Sequence, residues 1–409
     1  MKHIVFVMSD TGGGHRAAAE AISAALAVRH PDVFKVEMVD AWRLTPFPFN
    51  YSPETYEPTL RYGWLGWWAG YKLTNRPVAS KVAMSPMYHA LFKSGMTQLA
   101  DQYGHADLIV CVHSVFVRPA LRAFAERESR PPFITVVTDL VSTHMWWYDP
   151  GVDRCLVPTD VAYRRGLLAG LRPEQLRVTG LPVHPRFTEG MMDKAEARAA
   201  LGWHPELPAV LVVGGGAGIG PLYRIARAIN ARRLRCQLVV VAGRNEQLKA
   251  RLESASWNQL THIYPYVSNM PTLMAGADML VTKAGPGTIS EACIAGLPIV
   301  LSGAIPGQEE GNVTYVVENG AGVWAPSPAR VADAVEAWLA EGAAGLARRS
   351  AAARALGRPN AVWDIADEVW HYANQPRVLL DETGTRHTAL LPHATPRNHK
   401  KARYEASRR

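Results

Sequence analysis

Residues 282–320, "TKAGPGTISEACIAGLPIVLSGAIPGQEEGNVTYVVENG", combine residue types that hold phosphate, ribose and hexose groups. An apolar run leads into glycines at Gly285 and Gly287, and a helical pattern follows them. Glycines at a helix N-terminus leave backbone N–H groups free to hold a diphosphate. Glu291, which lies further along this helix, has a carboxylate that accepts hydrogen bonds from two ribose hydroxyls. The segment therefore predicts a site for a nucleotide sugar.

The loop after the next predicted strand adds polar side chains that suit hexose hydroxyls. Gln308 contributes an amide and Glu309 a carboxylate, and both groups form several hydrogen bonds at once. Taken alone, Glu291 is equally well explained as a carboxylate that the helix dipole favours, and its neighbours are what favour the ribose contact. The residues assigned to this part of the donor site are Lys283, Gly285, Gly287, Thr288, Glu291, Gln308, Glu309 and Asn312.

Each half of the chain also has a glycine-rich turn after its first predicted strand. The turns are "MSDTGGGHRAAAE" at residues 8–20 and "VVGGGAGIGPLYRIARAI" at residues 212–229. Both expose backbone at the start of a helix, and the second presents N–H groups where an anion is favoured, with a purely packing role for its glycines as the alternative. The second turn is not a nicotinamide fingerprint, because the next strand ends in Gly243-Arg244 without an acidic residue. The turn residues assigned to donor binding are Gly13, Gly14, Gly214, Gly215 and Gly216.

Apolar runs rich in Val and Ile alternate with helical patterns in both halves, which indicates parallel sheets covered on both faces. The sequence therefore predicts an α/β protein with two Rossmann-like domains that face each other across a cleft. We expect domains at 1–188 and 189–374, joined by a linker with one helix within 186–208. The predicted strands are 3–9, 34–40, 106–112, 133–139 and 154–159 in the first half, and 209–215, 237–243, 262–267, 277–285 and 298–303 in the second.

The motifs "SDTGGGHRAAAEAI" (9–22), "TVVTDL" (135–140), "GGGAGIGP" (214–221) and "TKAGPGTISEACIAGLPIVL…GQEEGN" resemble those of monogalactosyldiacylglycerol synthases. These glycosyltransferases belong to a group that also holds the peptidoglycan lipid N-acetylglucosaminyltransferase. The resemblance covers residues 1–345 in order. It implies a GT-B fold, a UDP-hexose donor, diacylglycerol as acceptor, inversion at the anomeric carbon, and no cofactor or metal. The chain departs from the family at Ala217, where an acidic residue is common.

The resemblance gives His15 a chemical role, because inverting transfer needs a base that removes the proton of the acceptor hydroxyl. An imidazole with a pKa near 6.5 suits that task at neutral pH, and the adjacent glycines let lipid and sugar approach the backbone. The alternative is a histidine that packs or caps near its own helix. Asp139, at the end of its predicted strand, is the candidate for orienting the imidazole, although a turn or cap role is equally plausible.

Three interpretations of function stay open from the sequence. The first is galactose transfer to the 3-hydroxyl of diacylglycerol, and glucose transfer is its variant, since the two sugars differ only at C4. The second is a soluble GT-B enzyme such as a UDP-sugar epimerase. The third is a non-catalytic protein that binds a nucleotide sugar or a lipid, which the position of His15 disfavours.

The segment 42–92 is rich in aromatic residues and contains no clear strand pattern. Its "RYGWLGWWAGYK" stretch places Trp64, Trp67 and Trp68 between basic residues, which is typical of a protein that lies in the headgroup layer of a membrane. The alternative is that these aromatic side chains fill a core. A connection of this length without a strand is usually functional. We therefore predict an aromatic insertion that contacts the membrane from which diacylglycerol is taken.

The net charge of +8 is concentrated at the C-terminus, where six basic residues and one acidic residue follow Pro396. We expect residues 375–409 to form a disordered basic tail that either aids solubility or is attracted to anionic lipid, whereas nucleic acid is not expected as a partner. Four scattered cysteines without a CxxC motif favour a reducing compartment. Because we find no signal peptide or membrane-spanning pattern, we expect a peripheral, monotopic protein on the cytoplasmic face of a membrane.

Overall fold

The computed structural model describes residues 1–380 apart from Ala217 and Ile219, and apart from the side chains of Glu57, Leu60 and Arg61. The family departure at Ala217 and the basic cluster after Pro396 therefore lie outside the described residues.

The first domain is built on a six-stranded parallel sheet in the order β2-β1-β3-β5-β6-β7. Successive residues of β1 alternate between two cores: Val5 and Val7 face one, while Ile4 and Phe6 face the other. This burial on both faces explains why the strand is apolar throughout. The strands in this half are β1 (Lys2–Met8), β2 (Phe34–Asp40), β3 (Leu108–Cys111), β4 (Ser129–Arg130), β5 (Phe133–Val136), β6 (Arg154–Val157) and β7 (Leu176–Val178).

The second domain repeats this plan with a parallel sheet in the order β10-β9-β8-β11-β12-β13. Its strands also alternate between two cores, with Leu211 and Val213 on one face and Val210 and Val212 on the other. The two sheets confirm the predicted pair of Rossmann-like domains. The strands are β8 (Ala209–Val213), β9 (Gln237–Val241), β10 (Thr261–Tyr264), β11 (Met279–Lys283), β12 (Ile299–Gly303) and β13 (Gly322–Trp324).

Sixteen α-helices of the described chain connect and cover these strands, which is the arrangement that parallel strands require. They are α1 (Gly14–Arg29), α2 (Ser52–Tyr62), α3 (Trp64–Thr74), α4 (Pro77–Met87), α5 (Lys93–Tyr103), α6 (Ser114–Ala125), α7 (Asp160–Leu168), α8 (Lys194–Leu201), α9 (Leu222–Ala231), α10 (Glu246–Glu253), α11 (Met270–Gly276), α12 (Pro286–Ala295), α13 (Glu310–Glu318), α14 (Pro328–Ala340), α15 (Gly342–Leu356) and α16 (Ala361–Ala373). Helix α8 lies in the predicted linker.

The aromatic insertion is helical. It contains α2, α3 and α4, followed by a short π-helical stretch at Tyr88–Phe92. Tyr88 and Phe92 are buried in the core of the first domain, whereas α3 has no fully buried residue. The end of the insertion is thus a core element, and its middle stands on the surface.

Helix α16 packs on the first domain, although it falls within residues 189–374 that the sequence assigns to the second. Its apolar residues Val362, Ile365 and Val369 join the core beneath α1. The Glu368 carboxylate on the same helix pairs with the Arg154 guanidinium at 2.9 Å. The chain therefore crosses back and ties its last helix to the first sheet.

The chain from residue 375 is ordered at its start, which corrects the prediction of a disordered tail over 375–409. Strand β14 (Val378–Leu379) pairs antiparallel with β4, because Val378 lies opposite Arg130 and Leu379 opposite Ser129. Val378 is buried in this pair.

Candidate active site

The first glycine turn opens the N-terminus of α1 to the cleft. Gly12 and Gly13 adopt left-handed backbone angles, with φ of 66° and 75°, which favour glycine. Gly13 is the N-cap of α1, and a side chain built at Gly13 or Gly14 would meet no atom within 4 Å. A ligand therefore has direct access to the backbone at this helix end.

Hydrogen bonds fix the orientation and the tautomer of His15. Its Nδ1 lies 2.8 Å from the carbonyl oxygen of Val112 and 2.9 Å from the Thr138 hydroxyl. Because a carbonyl oxygen only accepts, the ring proton sits on Nδ1 and the lone pair on Nε2. Nε2 forms no hydrogen bond with the described part of the chain. The free lone pair is what a general base requires.

Burial keeps this imidazole neutral. Desolvation lowers the pKa of His15 to about 4, and the hydrogen bond to Val112 opposes that shift only in part. At neutral pH the ring is therefore uncharged and ready to accept a proton.

Asp139 lies in the same cleft, but its hydrogen bonds are to other residues. The carboxylate accepts from the Trp147 indole at 2.6 Å and from the Gln308 amide at 3.2 Å. Asp139 therefore does not orient the imidazole as the sequence predicted. The Val112 carbonyl and the Thr138 hydroxyl bind Nδ1 of His15 instead. Desolvation raises the pKa of Asp139. Its geometry makes it a link between the two domains.

The second domain presents the N-terminus of α12 at the carboxyl edge of its sheet. Gly285 is the N-cap, and a side chain at Gly287 would meet no atom within 4 Å. Thr288 is half-buried beside them. This helix end has the open backbone predicted for a diphosphate site.

Lys283 and Glu309 form an ion pair at this edge. The Lys283 ammonium lies 2.6 Å from one carboxylate oxygen of Glu309, and the other oxygen accepts the backbone N–H of Ile305 at 2.9 Å. Glu309 is buried, and Lys283 is partly exposed. The pair holds the 304–309 loop against the strand, so neither charge stands free for a ligand in this conformation.

Glu291 lies on the second turn of α12 and is half-buried. Desolvation raises the pKa of its carboxyl to about 7, and no hydrogen bond from the described chain opposes that shift. A carboxylate that is partly desolvated and has no partner suits a ligand that brings its own donors.

Gln308 and Asn312 differ in how much of their amide remains available. The Gln308 Nε2 donates to Asp139, whereas its buried Oε1 finds no partner within the described part of the chain. Both polar atoms of Asn312 are used, since Oδ1 accepts from the Val141 N–H at 3.2 Å and Nδ2 donates to the Ala284 carbonyl at 2.9 Å. Asn312 therefore joins the two domains, and in this conformation its amide is not available to the donor site to which the sequence assigned it.

The second glycine turn lies next to an arginine and a tyrosine. Gly214 is buried, Gly215 has a φ of 73°, and Gly216 accepts the backbone N–H of Arg244 at 3.0 Å through its carbonyl oxygen. The Arg244 guanidinium stacks 4.2 Å from the ring centre of Tyr266. This planar pair borders the turn.

Helix α3 of the insertion has a packed, inner edge and an exposed, outer edge. Trp67 is half-buried with its ring edge against Tyr56 at 5.9 Å between centroids, and its buried indole N–H has no partner among the described residues. Tyr71, one turn further on, donates its hydroxyl hydrogen to the Ser142 carbonyl. Trp64 and Trp68 lie on the same side of the helix, because residues three and four apart are neighbours, and they are 46% and 41% exposed. The three tryptophans therefore form one stripe that is packed at Trp67 and exposed at Trp64 and Trp68.

The inner face of the insertion reaches the active site. A Cβ at Gly12 would lie 3.2 Å from the Tyr56 ring, so this tyrosine covers the Gly12 end of the first glycine turn and leaves Gly13 and Gly14 open. The Lys72 ammonium pairs with Glu310 of the second domain at 3.1 Å. Helices α2 and α3 thus lie over the end of the cleft that holds His15.

Residues 1–380, without Ala217 and Ile219, contain no cluster of three or more His, Cys, Asp or Glu side chains placed to hold a metal ion. Within the same residues, every helix is too short or too polar to cross a bilayer.

The sequence did not identify several residues that shape this site. Thr138 and the Val112 carbonyl orient His15, the ring of His113 lies 4.4 Å from it, and Tyr56 covers the glycine turn. The position of Thr138 and Val112 at the ends of neighbouring strands was the only available signal, because parallel strands end at a common edge.

Two family models match the chain in series. Residues 15–183 match the monogalactosyldiacylglycerol (MGDG) synthase model, and residues 209–361 match the C-terminal domain of glycosyltransferase family 28. The boundary between them falls between the two sheets.

Curated relatives and solved structures agree with this division. The chain is 38% identical to a probable monogalactosyldiacylglycerol synthase 2, chloroplastic, of Oryza sativa, over 92% of this chain and 82% of that protein. It is 36% identical to monogalactosyldiacylglycerol synthase 1, chloroplastic, of Arabidopsis thaliana, over 90% of this chain and 70% of that protein. The crystal structure of Acinetobacter baumannii MurG superposes with a TM-score of 0.56 at 16% identity, over 91% of this chain and all of that one. The fold is GT-B.

Proposed function

Since the chain belongs to the monogalactosyldiacylglycerol synthase family, we propose that it transfers galactose from UDP-galactose to the 3-hydroxyl of 1,2-diacylglycerol. The product is a β-galactosyl diacylglycerol, and UDP is released. The activity needs no cofactor beyond these two substrates.

The observation that carries this proposal is the lone pair on Nε2 of His15. The acceptor hydroxyl gives its proton to Nε2 as its oxygen bonds to C1 of the galactose. The bond from C1 to the diphosphate oxygen breaks, and UDP takes its electron pair. Because attack and departure occur on opposite faces, an α-linked donor gives a β-linked product.

The donor binds in the second domain. The N-terminus of α12, which is open at Gly287, holds the diphosphate with backbone N–H groups, and the glycine turn at 214–216 borders it. Glu291 accepts the ribose hydroxyls, which supply the hydrogen bonds its carboxylate lacks. The unpartnered Oε1 of Gln308 accepts a galactose hydroxyl.

The acceptor comes from a membrane that the outer face of the insertion contacts. Exposed apolar side chains cluster on this segment, and they are Phe47, Tyr62, Trp64, Leu65, Trp68, Leu73, Val78 and Val82. The exposed basic residues Arg76 and Lys81 lie beside them, which favours anionic lipid. We therefore include peripheral attachment at the cytoplasmic face of a membrane in the proposal.

Label transfer tests this function. The protein is incubated with UDP-[¹⁴C]galactose and diacylglycerol in mixed micelles, lipids are extracted, and UDP-[¹⁴C]glucose is tested in parallel. We expect a labelled glycolipid from the galactose donor, and competition by unlabelled UDP-glucose weaker than by unlabelled UDP-galactose. Faster transfer from UDP-glucose would instead make the chain a glucosyltransferase, and label confined to water-soluble products would refute lipid glycosylation.

A further inference from the structure

A second histidine beside His15 has a proton to donate and no acceptor among the described residues. His113 follows β3 and is 7% exposed, with its ring centre 4.4 Å from that of His15. Trp42 and Phe116 pack on the same ring at 6.3 Å and 5.0 Å between centroids. The imidazole is therefore held rigidly within the cleft.

The hydrogen bond at Nδ1 fixes the tautomer of His113. His113 is the N-cap of α6, and its Nδ1 accepts the backbone N–H of Val115 at 3.3 Å. Because Nδ1 accepts, the proton of the neutral ring lies on Nε2. Burial, with a smaller effect of His15, holds the pKa of His113 well below its usual value, so the ring stays neutral.

The two histidines thus offer opposite functions on rings whose centres are 4.4 Å apart. His15 offers a lone pair at Nε2, and His113 offers an N–H at Nε2 that pairs with no described residue. A donor in a nearly enclosed site is satisfied by a ligand or a water that accepts from it. The acceptor hydroxyl must lie within hydrogen-bond reach of His15, so the ester group on its neighbouring carbon, with its carbonyl oxygen, lies close to His113.

We propose that Nε2–H of His113 donates a hydrogen bond to the carbonyl oxygen of the acceptor ester next to the reacting hydroxyl, and so positions that hydroxyl on His15. The proposal rests on the proposed function, since it assumes a diacylglycerol acceptor. His113 is a positioning residue for the acceptor and leaves the donor site unchanged. It makes the enzyme prefer an ester-linked lipid to an ether-linked one.

The test combines a variant with a change in the acceptor. His113→Asn keeps a side-chain oxygen that caps α6 but lacks a donor at the reach of Nε2, and His113→Gln returns an amide donor near that position. Each protein is assayed with 1,2-diacylglycerol and with 1,2-dialkylglycerol, which has no ester carbonyl. Thermal unfolding checks that the variants fold.

We expect the wild type to lose about tenfold in kcat/KM when the ester acceptor is replaced by the ether. His113→Asn should lose about the same factor with the ester and little more with the ether, while the KM for UDP-galactose stays within twofold and His113→Gln recovers part of the loss. His113→Asn as active as the wild type would mean that His113 is only a helix cap and would overturn the proposal.

An equal loss of His113→Asn with both acceptors, or a loss that appears in the KM for UDP-galactose, would also overturn it, because the hydrogen bond would then not be to the ester. Failure of the proposed function has a different signature. In that case the wild type itself forms no galactolipid from either acceptor, and the assignment of His113 falls with it.

Discussion

Replacing Trp64 and Trp68 together by serine should weaken membrane binding while leaving the donor site unchanged. These residues are one helical turn apart at the exposed edge of α3 and are 46% and 41% exposed. Trp67 lies on the same side of the helix but is packed against Tyr56. The double variant therefore removes exposed apolar surface and keeps the packed Trp67.

The exposed areas give the size of the effect. A tryptophan presents on the order of 200 Å², so the two exposed fractions amount to roughly 170 Å² of surface available for insertion. At about 25 cal/mol per Å², full insertion contributes ~4 kcal/mol, and insertion of half the area contributes ~2 kcal/mol. We therefore expect the vesicle partition coefficient to fall between about 30-fold and about 1,000-fold.

Co-sedimentation with neutral phosphatidylcholine vesicles at high salt measures the contribution of apolar insertion to binding, since salt screens attraction between the lipid and the basic residues. The matched control is Trp324→Ser, because Trp324 is 37% exposed but lies on β13 of the second domain. The control should co-sediment like the wild type, and UDP should bind all three proteins equally. Unchanged sedimentation of the Trp64→Ser, Trp68→Ser variant would refute the insertion argument.

Three further predictions concern the chemistry. His15→Ala should lower kcat by about 10²–10⁴-fold with UDP affinity unchanged by calorimetry, since a base acts only on the acceptor; a loss of UDP affinity as large as the loss of kcat would contradict this role. Glu291 has a pKa raised to about 7, so its carboxylate forms as pH rises, and the KM for UDP-galactose should fall about tenfold between pH 6 and pH 8. That dependence should disappear in Glu291→Gln, and Glu291→Ala should raise the KM at pH 8; a wild-type KM independent of pH would refute the ribose contact. EDTA should leave turnover intact, because the N-terminus of α12 supplies the positive potential for the diphosphate, and strong inhibition reversed by a divalent cation would show that a metal is required.

The strands and the edge on which the site lies were predictable, because they follow from local patterns. Continuous apolar runs predicted the strands of the two sheets, and the glycine turns predicted where helices α1 and α12 begin. Parallel strands end at a common edge, so His15 and Glu291 had to face one cleft. Their individual roles stay predictions that the assays above test.

The packing of the insertion was not predictable from its sequence. Helix α3 carries apolar residues all round, so its periodicity does not tell which face is buried. The structure packs Trp67 and Tyr71 against Tyr56 and Ser142. Trp64 and Trp68, on the same side of the helix, remain partly exposed, and the core alternative therefore applies to one tryptophan of the three.

Hydrogen bonds between segments that are distant in the chain also cannot be predicted from local sequence patterns. Asp139 meets Gln308 and Asn312 meets Val141 only because the domains close on each other across some 170 positions of sequence. Helix α16 is amphipathic, but its pattern does not say which of the two sheets it covers. Such contacts depend on the tertiary fold.

The anomeric configuration of the product tests the central claim most directly, because His15 acts as a base only if the acceptor oxygen attacks opposite to the leaving UDP. The wild-type protein is supplied with UDP-α-galactose and 1,2-diacylglycerol, and the purified glycolipid is examined by proton NMR for the coupling between H1 and H2. We expect the large coupling of a β-galactoside. The small coupling of an α-galactoside would contradict single-step inversion and the role assigned to His15.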